Sequence, residues 1–499
     1  MKRQTEQRFP LGSRTLLAAQ VLGVTAGLVL PWAVEAEGKD VAALESRIDE
    51  LTRQLEHARQ ELAAAQAEAK TAGEKTTAAE GEGVEQQTVV IDETAAAEKT
   101  AAAEEQLAAT SEPESTKIKL GPLSVGGAVR VNYIRGSYTD TGDGPSRGGD
   151  GGNFELDTYR INLSLDHAQT IGKLEYRWYN GYNFLHTGWL GHQFQDGGQL
   201  QVGVTRVPFG PGPYGVSQSW FFDQHYYVGL ADDMDFGVKY LTRRGNWDLD
   251  LAYFYSSEGN WNGASADSAR YSYDAVKWDY ALDPDGNVIS APLNGYAERN
   301  QFNLRAIYNL DDSTVPTELG VSMQYGQLEG RRVDDGHHWA GSLHMINHFG
   351  GFVLASQLTR YQIHIDDNTP WGTDTLIPMG AYDFAWPVAT KAWIPALSLS
   401  YRYDTPRIGW LDYVLPYLEY SSIIKDEDTF NDSQMLTLGA AWASGGWYIY
   451  SDLVYSNGNY FIGNDGDDYS NIFNGVGDFG VDGNDDWNYR FNINFGYYF

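Results

Sequence analysis

The chain of 499 residues contains no cysteine. Disulfides, thiol nucleophiles and thiolate-bound metals are therefore excluded. Basic side chains are scarce: 35 Lys and Arg stand against 67 Asp and Glu, a formal net charge of −32. Residues 117–499 alone hold 24 basic and 46 acidic side chains. A chain this acidic repels a phosphate backbone, so no nucleic-acid partner is expected. Beyond the N-terminus no stretch approaches the roughly 18 consecutive apolar residues that a helical membrane span requires. No strand-to-helix nucleophile elbow and no His-Glu-x-x-His helix is read in the sequence, and no enzyme is expected. No cofactor motif is present.

What is abundant is aromatic: 33 Tyr, 15 Trp and 20 Phe, 14% of the chain, with 55 Gly. The N-terminus has its own grammar. Lys2, Arg3, Arg8 and Arg14 precede an apolar run from Leu16 to Leu30, and Ala33-Val34-Glu35-Ala36 follows. That order predicts a secretory signal peptide over 1–36, and hence an exported protein. Val41, Leu44, Ile48, Leu51, Leu55, Ala58, Leu62, Ala65 and Ala69 then alternate three- and four-residue spacings. This heptad seam predicts a coiled-coil helix over 37–70. Residues 71–116, rich in Ala, Glu and Thr, have too little apolar surface for a core and read as a low-complexity linker.

Residues 117–499 change pattern. In the final segment Tyr489, Phe491, Ile493, Phe495, Tyr497 and Phe499 alternate with Asn488, Arg490, Asn492, Asn494, Gly496 and Tyr498. A period of two places the first set on one face of a strand and the second on the other, as in a wall with lipid outside and water inside. Sixteen such strands are predicted, near 123–138, 154–167, 171–181, 185–193, 198–206, 234–243, 246–257, 298–310, 317–327, 338–348, 351–363, 391–403, 413–424, 434–443, 446–456 and 488–499. Segment 185–193 alternates most weakly; losing it with a partner gives fourteen. Tight connections, such as Arg244-Gly245 and Ser444-Gly445, alternate with long ones at 139–153, 207–233, 258–297, 364–390 and 457–487. The fold expected is all-β: a 16-stranded antiparallel transmembrane β-barrel over 117–499, with an N-terminal periplasmic coiled-coil helix. The long loops face outside the cell.

A charge on the lipid face costs roughly 2–4 kcal/mol at the midplane. Arg130, Arg160, Lys173, Arg177, Arg299, Arg305, Arg402 and Arg490 fall on the polar parity of their strands and are therefore expected to line the pore. Arginine's planar fork matches carboxylate and phosphate, so this set predicts an anion preference. Pairing with Asp157, Asp166 and Glu175 is the alternative for each. The loop 207–233 opens with Pro208-Phe209-Gly210-Pro211-Gly212-Pro213-Tyr214 and is dense in aromatics. Such a loop is unfavourable in water and is expected to fold into the barrel as a constriction. Arg206, Tyr214, Trp220, Phe221, Asp223, His225 and Tyr226 are its candidate residues, with Asp232 and Asp233 beside them. Two acidic strings, 464–468 and 482–486, resemble fragments of calcium loops, but no downstream Glu completes them. No metal site is assigned.

Together with the layout, Leu120-Gly121-Pro122-Leu123-Ser124-Val125-Gly126-Gly127 and Leu200-Gln201-Val202-Gly203-Val204-Thr205-Arg206-Val207-Pro208-Phe209-Gly210 resemble the DcaP-like porins. These are akin to the phosphate-selective porin O/P family. The resemblance implies a homotrimeric outer-membrane porin passing small anionic solutes, either dicarboxylates or phosphate. It also implies insertion into outer-membrane lipid by the barrel assembly machinery through Phe499. The N-terminal segment would lie in the periplasm. The chain departs from the family in having few lysines and no dense basic ladder in the loop, which leaves phosphate selectivity open. The alternative function is a structural barrel that tethers the envelope through its coiled coil.

Overall fold

The computed structural model describes residues 117–137, 152–283, 288–311, 313–459, 461–462 and 487–499. The expected signal peptide, coiled coil, linker and acidic strings lie outside these residues.

Sixteen wall strands follow one another in chain order: β1 (Leu123–Gly136), β2 (Asn153–His167), β3 (Thr170–Trp178), β4 (Asn183–Gln193), β5 (Gln199–Arg206), β6 (Met234–Arg244), β7 (Trp247–Ser257) and β8 (Val288–Leu310). The second half comprises β9 (Thr317–Arg331), β10 (Gly336–Phe349), β11 (Phe352–His364), β12 (Lys391–Tyr401), β13 (Tyr413–Lys425), β14 (Ser433–Ser444), β15 (Trp447–Asn457) and β16 (Asn488–Tyr498). Each pairs antiparallel with its neighbour. The ring closes where Ala128 to Gly136 of β1 pair with Tyr498 to Arg490 of β16. Closure leaves the wall without an edge strand. The weakly patterned segment is a full member, β4, paired on both sides.

The alternation sorts side chains as the sequence predicts. On β16, Tyr489 and Tyr497 are exposed, whereas Arg490, Asn492 and Asn494 are at most 1% exposed. Leu251, Phe302, Met323, Leu343, Leu397 and Leu438 are among many large apolar side chains exposed around the outside. A surface this apolar suits hydrocarbon, not water. The connections also sort by end. Tight turns join β2 to β3, β6 to β7, β10 to β11 and β14 to β15, while the chain between β5 and β6, β7 and β8, and β11 and β12 is long.

Two of those long connections hold strands that the alternation did not reveal. Leu376–Ala381 and Phe384–Ala389 form a hairpin whose first strand also pairs with Asp274–Ala275. Ile377, Met379, Trp386 and Val388 of this hairpin are buried in one core with Phe209, Phe221, Tyr226 and Tyr227 of the 207–233 loop. Strand β8 begins ten residues before its expected start because its first part pairs with Lys277–Leu282.

Candidate functional site

Loop 207–233 packs against inward side chains of strands far apart around the ring. The Gly210 amide donates to Ser322 Oγ of β9 at 3.0 Å. His225 Nε2 lies 2.8 Å from Thr359 Oγ1 of β11. The Gln224 amide donates to Ser421 Oγ of β13 at 3.1 Å. Glu419 of β13 receives the Ser217 hydroxyl at 2.6 Å and the Gln218 amide at 2.5 Å. On β15, Asp452 accepts from the Trp220 amide at 3.3 Å. The Trp220 indole reaches the other way, donating to Asp157 Oδ2 of β2 at 3.3 Å. A loop bonded to β9, β11, β13, β15 and β2 crosses the inside of the barrel.

Its own shape depends on Asp223. One carboxylate oxygen accepts the Val216 amide at 2.8 Å, and the other lies 2.9 Å from both the amide and Nδ1 of His225. Tyr214 stacks on Phe222 with centroids 5.1 Å apart, and Phe221 sets its edge against Trp220. Tyr226 shares a hydroxyl–hydroxyl hydrogen bond with Tyr382 of the 376–389 hairpin. Asp232 accepts the Tyr271 hydroxyl at 2.5 Å and pairs with Arg206 at 2.8 Å.

Four of the expected arginines converge beside the loop, on β1, β2, β3 and the end of β5. Arg160 and Arg177 stand directly across from one another on β2 and β3. Like charges so placed repel unless bridged; here Glu175 bridges them, at 3.1 Å from Arg160 and 2.5 Å from Arg177. Arg130 pairs with Asp157 at 2.8 Å. Arg206 completes the group, its guanidinium over the Tyr214 ring at 5.7 Å. Tyr214 is within electrostatic reach of Arg206, Arg177 and Arg160. Four guanidinium groups thus meet three carboxylates: Asp157, Glu175 and Asp232.

Solvent reaches this quadrant. The side chain of Arg206 is 25% exposed, Arg130 17% and Glu175 16%. Thr359, Ser421 and Asp452, which anchor the loop on β11, β13 and β15, are at most 2% exposed.

The other expected residues separate. Arg490 is buried under the loop, with its guanidinium 4.9 Å from the Phe221 ring centroid and 5.1 Å from that of Trp220. Arg305 pairs with Asp250 on the neighbouring strand at 2.5 Å. Lys173 is exposed on β3, in the fourth residue pair from the tight turn that joins β2 to β3. Arg402 lies just past β12, over the Tyr413 ring at 3.8 Å. Arg299 is a correction: it faces outward. Asn300, with φ +49°, forms a bulge between Arg299 and Phe302, and the extra residue reverses the parity. Glu298 and Gln301 are buried inside, while Arg299 pairs with exposed Glu329 at 2.9 Å and lies beside exposed Tyr255. Asp233 is also turned away from the arginines, into a separate acidic group. Sequence reasoning missed the hairpin's contact with Tyr226 and the buried Lys239, whose ammonium donates to the Arg206 carbonyl at 2.9 Å. The letters Gly-x-Ser-x-Gly do occur at 144–148. They fall between β1 and β2 and lie outside the described residues.

No protein-family model matches the chain, and no curated protein matches it. Solved structures do. The chain is similar to Salmonella typhi OmpF in complex with daunomycin, at 12% identity and a TM-score of 0.47, covering 77% of this chain and 100% of that chain. It is similar to the outer membrane channel DcaP of Acinetobacter baumannii, at 10% identity and TM-score 0.44, covering 78% and 99%. It is also similar to the anion-selective porin from Comamonas acidovorans, at 11% identity and TM-score 0.42, covering 76% and 99%. The chain's own ring of paired strands defines its fold: a closed, 16-stranded antiparallel β-barrel crossed by an in-folded loop.

Proposed function

We propose that this chain is a bacterial outer-membrane porin for passive diffusion of small hydrophilic solutes, with a preference for anions such as dicarboxylates or phosphate. The observation that carries the reading is the solvent-reached quadrant between loop 207–233 and strands β1–β3. The aromatic loop narrows the passage and sets the size limit. Arg130, Arg160, Arg177 and Arg206 raise the local anion concentration there. Their planar donors suit carboxylate and phosphate oxygens. Asp157, Glu175 and Asp232 hold the guanidiniums in place and temper the excess positive charge, so that an anion can leave as well as enter. The homotrimer, the membrane insertion and the periplasmic N-terminal segment belong to the same reading.

The test is the reversal potential of the purified protein in a planar bilayer across a salt gradient. Stepwise conductance with anion preference is expected, lowered in an Arg160→Gln, Arg206→Gln double variant. Cation preference in the wild-type protein would overturn the anion assignment, and absence of conductance would overturn the porin.

A further inference from the structure

A second group of side chains lies apart from the arginines and takes no part in the passage. Asp233, at the end of the in-folded loop, meets Asp235 of β6, Glu258 just beyond β7, and Asp274 of the small inner sheet. One carboxylate oxygen from each lies within 4.8 Å of all the others. All four residues are buried, at 4%, 1%, 2% and 1% exposure. The Glu258 and Asp274 carboxyl groups lie against one another.

The second observation concerns what these groups do not bond. Asp233 Oδ1, Asp235 Oδ1 and Glu258 Oε2 are buried and have no hydrogen-bond partner. The remaining oxygens are partly served: Glu258 Oε1 accepts the Ser272 amide at 2.7 Å, and Asp235 Oδ2 accepts Gln301 Nε2 at 3.0 Å. Asp274 pairs with Arg270 at 3.1 Å. Among the described residues, the other charged groups facing the cluster are Glu298, Asp267 and, through Asp267, Lys277. Six carboxylates therefore meet two cations in a place that water barely reaches. Buried carboxylate oxygens without donors are costly when ionised.

We propose that Asp233, Asp235, Glu258 and Asp274 form a binding site for a single calcium ion. The ligand set is all carboxylate oxygen, which selects a hard cation over a transition metal. Calcium holds oxygens at about 2.3–2.6 Å, so ligands on opposite sides of the ion stand about 4.8 Å apart. All four oxygens lie within that span of one another, so a single calcium ion can reach every carboxylate. Magnesium, at about 2.1 Å and octahedral, requires a tighter cage. The site joins the end of loop 207–233, the start of β6, the end of β7 and the inner sheet. An ion there pins the in-folded segments to the wall. The assignment does not depend on conduction.

The experiment uses the full chain folded in detergent, stripped with a chelator and titrated with terbium, then with calcium as competitor. Tyr271 and Tyr273 lie three residues and one residue before Asp274 and are the expected sensitisers of terbium emission. Expected are one sensitised terbium per protomer, its displacement by calcium, and a chelator-induced fall in the unfolding temperature. Asp235→Asn and Glu258→Gln, both close in shape to the native side chains, should each weaken binding at least tenfold with strand content unchanged by circular dichroism. The proposal fails if the wild-type protein shows no sensitised ion and no calcium-dependent unfolding. It fails equally if both variants bind as the wild type does, which would place the ion among the external acids. The wild-type arm decides even if a variant does not fold.

Discussion

Asp223 gathers the Val216 amide, the His225 amide and the His225 ring onto one carboxylate, and Gly215 makes room for it. A Cβ at Gly215 would stand 2.3 Å from Asp223 Oδ2, on a backbone whose φ of +64° already disfavours any other residue. Hydrogen bonds to charged groups contribute roughly 1.5–3 kcal/mol each. Asp223→Ala and Gly215→Val should therefore loosen the loop while leaving the wall intact. The expected readout is a larger single-channel conductance with unchanged strand circular dichroism; unchanged conductance would mean that the loop's anchors on β9–β15 suffice. Glu258 and Asp274 predict a pH effect. Burial pushes both groups above the usual carboxylate range; the Asp274 carboxyl adds to it at Glu258, while the Arg270 guanidinium opposes it at both. A carboxyl raised in the folded state keeps its stability at low pH and loses it as pH rises through the folded value. In chelator, the unfolding temperature should fall as pH rises above the ordinary carboxylate range. Calcium should remove that fall, and a flat profile in chelator would contradict the crowding.

At the scale of elements, the wall strands were legible because each carries its own period-two pattern. β4 was legible despite its weak alternation because tight and long connections had to alternate around it. The inner hairpin was not. Its turn residues, Tyr382 and Asp383, both have positive φ, at +51° and +67°, where Asn-Gly is the usual signal. Tertiary contacts hold that strained turn. Tyr382 bonds Tyr226, and the Asp383 carboxylate accepts the Ala264 and Ser265 amides at 2.7 and 2.8 Å. Asp383→Ala should free both amides. Hydrogen exchange should then quicken across 260–276 and 376–389, with the wall strands unaffected. Uniform protection there would show that the turn is held by its aromatic neighbours alone. Arg299 teaches the complementary lesson: one bulged residue, Asn300, sends a charge to the opposite face from the one that simple alternation assigns.

For the whole molecule, closure rests on β1 against β16. Asn494 donates to Asn132 Oδ1 at 2.8 Å and to Asp157 Oδ2 at 2.9 Å across that seam, and Gly127 exchanges two backbone hydrogen bonds with Phe499. Deleting Tyr497–Phe499 removes two of the nine closing pairs and both Gly127–Phe499 bonds and should weaken the seam, seen as loss of folded, protease-resistant barrel. A resistant barrel would show that the remaining seam suffices. Deleting 37–116 should leave flux through reconstituted protein unchanged, since the barrel closes without that segment. A loss of envelope integrity with intact flux would assign a tethering role to it.

The wall is written in the linear chain: sixteen strands, their inner and outer faces, and a loop too aromatic to remain in water. Those properties are periodic and local, so each is read within a dozen residues. Folding in three dimensions sets which arginines share a quadrant, which carboxylate bridges them, and that Asp233, Asp235, Glu258 and Asp274 converge on one buried point. Those arrangements join residues from separate loops and strands, and ring closure, not sequence proximity, sets the distances between them.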